Sequence, residues 1–475
     1  MPIIPIELSA FHGGINLKTN PLLIKPEEGR IVKNVNLNEI GTLQKCKGYS
    51  IFGNQPTSDD VLSLYAFYKI GTTTERFLLR DSGGNVYKYD FTNNTWGTAI
   101  ATGLSTTAIP CWETYKNLAL RFNGVDKPKK YDGSTLTDLE GNPPNGSIVR
   151  LFKDRVYVAG VSPNYSTIYY SKVGNPEDWP PFNNFDVNAN DGDRIIAMEP
   201  LFDSFLIFKE FSIWEYKVDR RNNPATLRYI TLDIGTTSRR SVVNINGILY
   251  FFNRKGVYQF ATRYPELISL KVEPFIKAVQ NPYDVVAFQW DYKYCLFIGN
   301  VVVEGKTYNN CLLVYDTILD NWTVMTLANP VKTAVNFIGS DNLRRIYFGS
   351  TQGKTFLWES GYKFENTPIE LEYETGLYQP GDPKKIKIFR EVFVRAGSKP
   401  LSPVKIHYSI DGKDWRELGL VEETTQKFKF PFDYRVGTDI KLRFHEVSDK
   451  EAKPIYQVII YVEEPEEAEL PKKRK

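Results

Sequence analysis

Asn85-Val-Tyr-Lys-Tyr-Asp-Phe-Thr-Asn-Asn-Thr-Trp96 and Cys311-Leu-Leu-Val-Tyr-Asp-Thr-Ile-Leu-Asp-Asn-Trp322 share one grammar. An aromatic strand with alternating apolar positions runs into a polar Asp/Asn turn, and a Trp opens the next strand. Short, turn-bounded segments of this kind recur from about Leu62 to Trp358. A four-stranded sheet of such strands buries its faces only against neighbouring sheets, with aromatics wedged between them, so the recurrence predicts an all-β chain built on a β-propeller. The expected blades are marked by Glu75-Arg-Phe-Leu-Leu-Arg80, Asn117-Leu-Ala-Leu-Arg-Phe122, Arg155-Val-Tyr-Val-Ala159, Ser204-Phe-Leu-Ile-Phe208, Ile248-Leu-Tyr-Phe-Phe252, Lys293-Tyr-Cys-Leu-Phe-Ile298 and Arg345-Ile-Tyr-Phe-Gly349. Each is short, largely apolar and followed by a turn signal. At roughly 40 residues per blade the span 49–361 holds about seven, with six as the alternative.

Outward from the repeats the grammar changes twice. Residues 1–48 are rich in Pro, Gly and Asn and read as an extended arm. Gly13-Gly14 permits φ > 0 there, and Asn34-Val-Asn-Leu-Asn38 resembles a short strand ending at Gly41, in the simplest reading the strand that closes the ring. From 362 to 462, Glu370-Leu-Glu-Tyr-Glu-Thr375, Arg390-Glu-Val-Phe-Val-Arg395, Val404-Lys-Ile-His-Tyr-Ser409 and Ile455-Tyr-Gln-Val-Ile-Ile-Tyr-Val462 alternate as half-buried strands do, which predicts a β-sandwich. Residues 463–475, an acidic run followed by Lys472-Lys-Arg-Lys475, read as a disordered, solvated tail.

Composition narrows the function classes. Of the 475 residues 42% are hydrophobic and 14% aromatic, a supply of strand formers suited to a folded β protein. With 59 basic against 56 acidic residues, the balance gives no support to an electrostatic grip on nucleic acid. Cys46, Cys111, Cys295 and Cys311 are scattered without metal or redox spacing and read as buried thiols. A Cys295–Cys311 disulfide stays open, since the two lie on successive expected strands. Met1-Pro-Ile-Ile-Pro-Ile-Glu-Leu8 lacks the basic start and apolar core of a signal peptide, and no run approaches the ~18 apolar residues of a membrane span. Folding in a reducing cytoplasm is expected.

Residues with catalytic or ligating chemistry are scarce. His12, His407 and His445 are far apart and lack metal spacing, which excludes a His-based nucleophile triad within the propeller. Carboxylate-only catalysis stays open, because propeller glycosidases use Asp and Glu pairs that sequence does not single out. Asp132-Gly133, Asp191-Gly-Asp193 and Asp411-Gly-Lys-Asp414 offer oxygens to calcium, but Asp-Gly is a common hairpin turn and the turn reading is preferred. Trp96, Trp179, Trp214, Trp322 and Trp358 are placed for packing between blades rather than sugar stacking. Lys127-Pro-Lys-Lys130 and Arg220-Arg221 are too small for a nucleic-acid patch, and no phosphate-binding loop is present. No cofactor or metal is expected.

Several segments, taken in order, resemble bacteriophage tail nozzle and head-to-tail stabilisation proteins of short-tailed phages. The opening Phe11-His-Gly-Gly-Ile-Asn16, Pro26-Glu-Glu-Gly29, Asn34-Val-Asn-Leu-Asn38 and Gly41-Thr-Leu-Gln-Lys-Cys-Lys-Gly48 is similar to theirs. Phe122-Asn-Gly-Val-Asp126, Tyr131-Asp-Gly133, Leu151-Phe-Lys-Asp-Arg-Val-Tyr-Val-Ala-Gly160, Tyr169-Tyr-Ser171 and Gly174-Asn-Pro-Glu-Asp-Trp179 follow in the same order. Then come Asp191-Gly-Asp193, Leu206-Ile-Phe-Lys209, Ser212-Ile-Trp214, Gly235-Thr236, Ser241-Val-Val243 and Gly256-Val-Tyr258. The set covers most of residues 11–260, and its order carries more weight than any one piece. Ser409-Ile-Asp-Gly-Lys-Asp-Trp415 also resembles an Asp-box turn of sialidases, though a Trp-capped hairpin explains a single copy.

The phage resemblance implies a virion tail protein, made in the cytoplasm of a host bacterium, that serves genome delivery. Its subunits would form a ring, usually a hexamer, below portal and adaptor proteins and beside tail fibres or needle. Double-stranded DNA would pass through the lumen without sequence-specific binding. Such a ring needs a rigid wall and no catalysis, so the chain is read as a non-enzyme. Near-neutral charge is consistent with a conduit, where many phosphate contacts would hold DNA back. Phe11, Gly13, Gly14, Asn16, Asn34 and Gly41 are the candidate assembly arm. Asn175, Asp178, Asp191, Asp193, Arg220 and Arg221 are candidates for lumen or gate loops. The alternatives are a carbohydrate-binding adhesin and a propeller glycosidase or depolymerase with two carboxylates converging at the propeller axis.

Overall fold

The computed structural model describes residues 3–8, 10–37, 39–219 and 224–465. Strand accounts for 53% of the chain and helix for 4%, so the protein is all-β. Five separate four-stranded antiparallel sheets follow one another along the chain, over 61–101, 111–138, 148–186, 195–231 and 243–267. Two more four-strand runs lie inside a 15-stranded, nearly closed, barrel-like sheet. One covers 286–326; the other joins Thr333–Ile338, Arg344–Gly349 and Thr355–Trp358 to Tyr49–Ile51 from the N-terminal side. The segments quoted above as blade markers coincide with the second strands of these units, Thr74–Ser82, Leu118–Phe122, Arg155–Ala159, Ser204–Lys209, Ile248–Asn253, Lys293–Val303 and Arg344–Gly349. Tight two-residue turns link first to second strands at Lys153-Asp154 and Asn246-Gly247, where both residues have positive φ, the twist that suits a hairpin.

Each unit packs on the next through a cluster of its own, save the fifth and sixth, which meet inside a larger core. Phe67 meets Tyr131 at 5.9 Å between the first and second units, and Phe152 stacks on Phe205 at 5.1 Å between the third and fourth. Phe208 meets Phe251 at 5.1 Å, Tyr250 stacks on Tyr294 at 5.7 Å, and Trp290 meets Trp358 at 5.7 Å. The last unit packs on the first, Phe337 stacking on Phe91 at 5.2 Å. The first strands neighbour one another in chain order, with the short turn Arg239–Ser241 between the fourth and fifth.

Beyond the last unit, two antiparallel sheets face each other across one core. One joins Arg416–Val421, Val404–Ile410, Ile440–Ser448, Thr367–Thr375 and Glu28–Lys33. The other joins Thr425–Lys429, Lys387–Ala396, Ile455–Glu463 and Ile3–Leu8. Residues from the first fifty therefore contribute a strand to each. The core between them continues without a break into the fifth and sixth units, from Ile460 and Phe444 through Phe11 and Val32 to Trp322 and Tyr250.

Two expectations need correction, and one open alternative, the Cys295–Cys311 disulfide, is closed in favour of the preferred reading of buried thiols. Asn34–Asn38 does not close the ring: Val35–Asn36 pairs with Gln44–Lys45, Asn38 lies outside the described residues, and Tyr49–Ile51 provides the added strand of the last unit. Cys295 and Cys311 are free thiols on opposite faces of their hairpin, one in the cluster shared with the last unit and one in the large core. Glu463 ends a strand and Glu464 pairs with Lys385 at 3.1 Å, so the tail cannot begin at 463; residues 466–475 lie outside the described residues.

Candidate functional site

Charge enters the ring of first strands at matching places. Glu113 is the third residue of Cys111–Tyr115, Arg150 the third of Ile148–Phe152, and Glu199 lies in Ile195–Leu201. Arg150 Nε donates to Glu199 at 2.9 Å, and its Nη1 donates to Cys111 Sγ at 3.2 Å and to the Val149 carbonyl at 2.9 Å. Burial works against the Arg150 charge, but Glu199, Cys111 and Glu113 outweigh it and hold the guanidinium well above its ordinary range. Burial pushes the Glu113 carboxyl up to about 7, with Arg150 opposing and Glu199 adding to the rise. The Arg150 and Glu199 side chains keep 24% and 21% of their surface open.

At one end of these strands the turn Arg239–Ser241 sends guanidinium groups across the ring. Arg239 donates to the carbonyls of Ser147, Ile109 (2.5 Å) and Pro110 (3.1 Å), reaching the second and third units from between the fourth and fifth. Arg240 donates to the Lys332 carbonyl at 2.9 Å and pairs with Asp284 at 2.6 Å, tying in the sixth and seventh. Sequence reasoning passed over these residues. The available signal was a single charge at a corresponding place in consecutive short apolar strands, together with the Arg239-Arg240 pair.

A buried polar pin joins the first two units, and the segments that carry the phage resemblance dock the links between units. Asp81 accepts from Arg121 Nε (2.8 Å), Ser63 (2.5 Å) and the Trp112 indole (2.9 Å), and Arg121 also reaches Asp126 at 3.2 Å. Asp126 in turn accepts from the Ser105 N–H, and Asn123 accepts from the N–H groups of Val125 and Asp126. Lys209, fully buried, donates to Asp191 at 2.6 Å. Burial would raise the Asp191 carboxyl, but Lys209 holds it below its ordinary range. Asp193 accepts from the N–H groups of Glu210 and Phe211; burial outweighs these bonds and leaves its carboxyl raised. Thr236 Oγ1 donates to the Phe252 carbonyl at 2.9 Å, and a Cβ on Gly235 would stand 2.2 Å from the Lys209 carbonyl.

The candidate arm residues dock on their own chain. Phe11 lies edge-on to Tyr373 at 5.3 Å and Phe444 at 6.1 Å. Gly13 donates to the Glu27 carbonyl, and Gly14, at φ +70°, would place a Cβ 2.5 Å from the Trp322 carbonyl. Asn16 is buried against Glu28 at 2.9 Å. Asn34 donates to the Glu370 carbonyl and accepts from the Thr326 N–H, while Gly41, at φ +83°, turns the chain into Gln44–Lys45. Beside them Lys45 and Glu446 form an ion pair at 2.6 Å, with side chains 0% and 2% exposed.

Of the gate candidates, Asn175 accepts from the Glu177 N–H and Asp178 pairs with Lys172 at 3.3 Å. Glu177 binds Lys130 of the second unit at 2.6 Å, so this loop is anchored. Asp191 and Asp193 pin the link between the third and fourth units onto the fourth, as just described, and Arg220 and Arg221 lie outside the described residues. Asp411 and Gly412 both have positive φ in a hairpin, and Asp132 accepts from the N–H groups of Ser134 and Thr135, as turn residues do. Trp96, Trp322 and Trp358 are buried in inter-unit clusters, with Trp179 and Trp214 packed against two others. His407 and His445 come together on adjacent strands, ring centres 6.3 Å apart, and His445 bonds Glu370 at 3.0 Å. Among the described residues no group of three or more His, Cys, Asp or Glu side chains is placed to hold a metal, and no helix is long and apolar enough to cross a membrane. A scan against protein-family models and a search of curated proteins both find no match.

Proposed function

We propose that the consecutive four-stranded units form a seven-bladed propeller, that the C-terminal sheets form a sandwich fastened to it by the arm, and that the chain is a non-enzymatic wall subunit of a phage tail nozzle or head-to-tail connector ring. One observation carries the reading. The residues behind the resemblance, among them Asp126, Asp191, Asp193, Gly235 and Thr236, are occupied in docking the links between units onto the sheets beside them. Residues used this way make a stiff body, and a stiff body is what a channel wall requires. The near-neutral charge suits a lumen through which DNA slides. Light scattering of the purified chain, followed by negative-stain imaging with portal and adaptor proteins, tests the proposal. Rings with an open centre are expected, alone or on those partners. A monomer that joins neither overturns it.

Glu113 and Glu199 favour a second reading, a propeller glycosidase, since two carboxylates lie by the same guanidinium and one of them is raised to about 7. Neither carboxylate lines the cavities at the mouth of the first strands, and Glu199 is engaged by Arg150. Polysaccharide cleavage abolished by both Glu113→Gln and Glu199→Gln would establish that reading, and cleavage unchanged in either would reject it.

A further inference from the structure

The mouth beside Arg239 is a cavity of about 420 Å³, within the ~300–1,000 Å³ of small-molecule sites. Three guanidinium groups line it, those of Arg194, Arg239 and Arg240, and no carboxylate does. Arg240 is matched by Asp284 at 2.6 Å. Arg239 is held by backbone carbonyls alone, and among the described residues neither it nor Arg194 has a carboxylate within ion-pair distance. Asp193, next in sequence to Arg194, is turned away onto the N–H groups of Glu210 and Phe211. Carbonyl dipoles satisfy the N–H groups of Arg239 without neutralising its charge, so the cavity keeps a positive potential that favours an anion.

The rest of the wall suits a hydroxylated body. The hydroxyls of Thr107 and Ser147 have no partner within the chain among the described residues. Tyr165 and Tyr283 complete the wall, and Arg194 stands 5.9 Å over the Tyr283 ring. We infer that this mouth is a binding site for an acidic sugar, a hydroxylated ring bearing a phosphate or carboxylate, with Arg194 meeting the oxyanion and Arg239 supplying the fixed positive field. The site lies on one subunit and is independent of the ring reading.

Isothermal titration of the full chain at low salt with glucose 6-phosphate, glucuronate, inorganic phosphate and glucose tests the inference. Saturable binding of glucose 6-phosphate or glucuronate is expected, at least tenfold tighter than inorganic phosphate, with none for glucose. Arg194→Gln should weaken it at least tenfold with an unchanged Tm, because among the described residues that side chain makes no hydrogen bond or ion pair and only faces the Tyr283 ring. Absence of binding by both acidic sugars, equal affinity for inorganic phosphate or glucose, or an Arg194→Gln variant that binds as wild type, each overturns it.

Discussion

The units from 61 to 267 and the paired sheets at 367–463 are both built of strands, yet different forces hold them. Each interface between successive units has a small apolar cluster of its own, supplemented by a buried polar pin such as Asp81–Arg121 or, from the link between units, Asp191–Lys209. The paired sheets share one core that runs on through the arm into the fifth and sixth units. Damage in the first region should therefore stay near the interface hit, whereas damage at the arm should spread through everything that shares the core.

The largest effects are expected at the buried ion pairs. Lys45→Ala leaves Glu446 buried without its cation and should cost about 3–5 kcal/mol in urea unfolding; Asp81→Ala leaves Arg121 with Asp126 alone and takes the acceptor from Ser63 and the Trp112 indole, and should cost about 3 kcal/mol. The two should differ in reach. Hydrogen exchange in Asp81→Ala should accelerate mainly over 61–138, and in Lys45→Ala across the arm, the C-terminal sheets and the fifth and sixth units together. The same pattern in both variants would erase the comparison.

Next comes the pH response of the repeat region. The Glu113 carboxyl is raised to about 7 in the fold, from an ordinary 4.5. Below pH 4.5 both folded and unfolded chains hold the proton; as pH rises the unfolded chain releases it first, so stability falls between about 4.5 and 7. The loss is on the order of 3 kcal/mol. Glu113→Gln, which never ionises, should gain that amount on wild type between pH 4.5 and pH 8 in urea titrations, and a pH-independent difference would count against the raised carboxyl.

A smaller effect separates close contact from backbone strain. Gly14→Ala meets the Trp322 carbonyl in addition to its φ of +70°, whereas Gly412, at φ +66° in a hairpin, has nothing within 4 Å of an added Cβ. The first should cost ~2–3 kcal/mol and the second ~1, read from Tm shifts. Smallest of all is Arg80→Met. Arg80 is fully buried, lies over Trp96 at 5.4 Å and has no carboxylate partner among the described residues; burial lowers its pKa to about 10. Removing an unmatched charge while keeping the bulk should leave stability within ~1 kcal/mol of wild type or raise it. A loss as large as that of Asp81→Ala would mean that Arg80 is itself a pin.

Legibility in the sequence followed distance along the chain. The second strands of the units could be read because each is a local apolar run ending in a turn, and the buried tryptophans because an aromatic after a polar turn has few places to go but between sheets. The closing strand was misplaced because Val35–Asn36 and Tyr49–Ile51 are both too short for local pattern to rank them, and only partner geometry distinguishes them. Glu113, Arg150 and Glu199 went unread as a group because they sit on three separate units, and Arg194 and Arg239 because they lie in two different links; each set converges only when the first strands stand side by side.

By itself the sequence determined that the chain is all-β, where most strands of the repeats fall, and that aromatics would form their interfaces, since alternation and turn chemistry act over a few residues. The tertiary structure alone decided that Ile3–Leu8 pairs with Ile455–Glu463, that Glu28–Lys33 pairs with Thr367–Thr375, and that Lys45 meets Glu446. Those pairings join residues hundreds of positions apart. Local pattern carries no information about which distant strand edge will be free to accept a partner, because that depends on the packing of the whole chain.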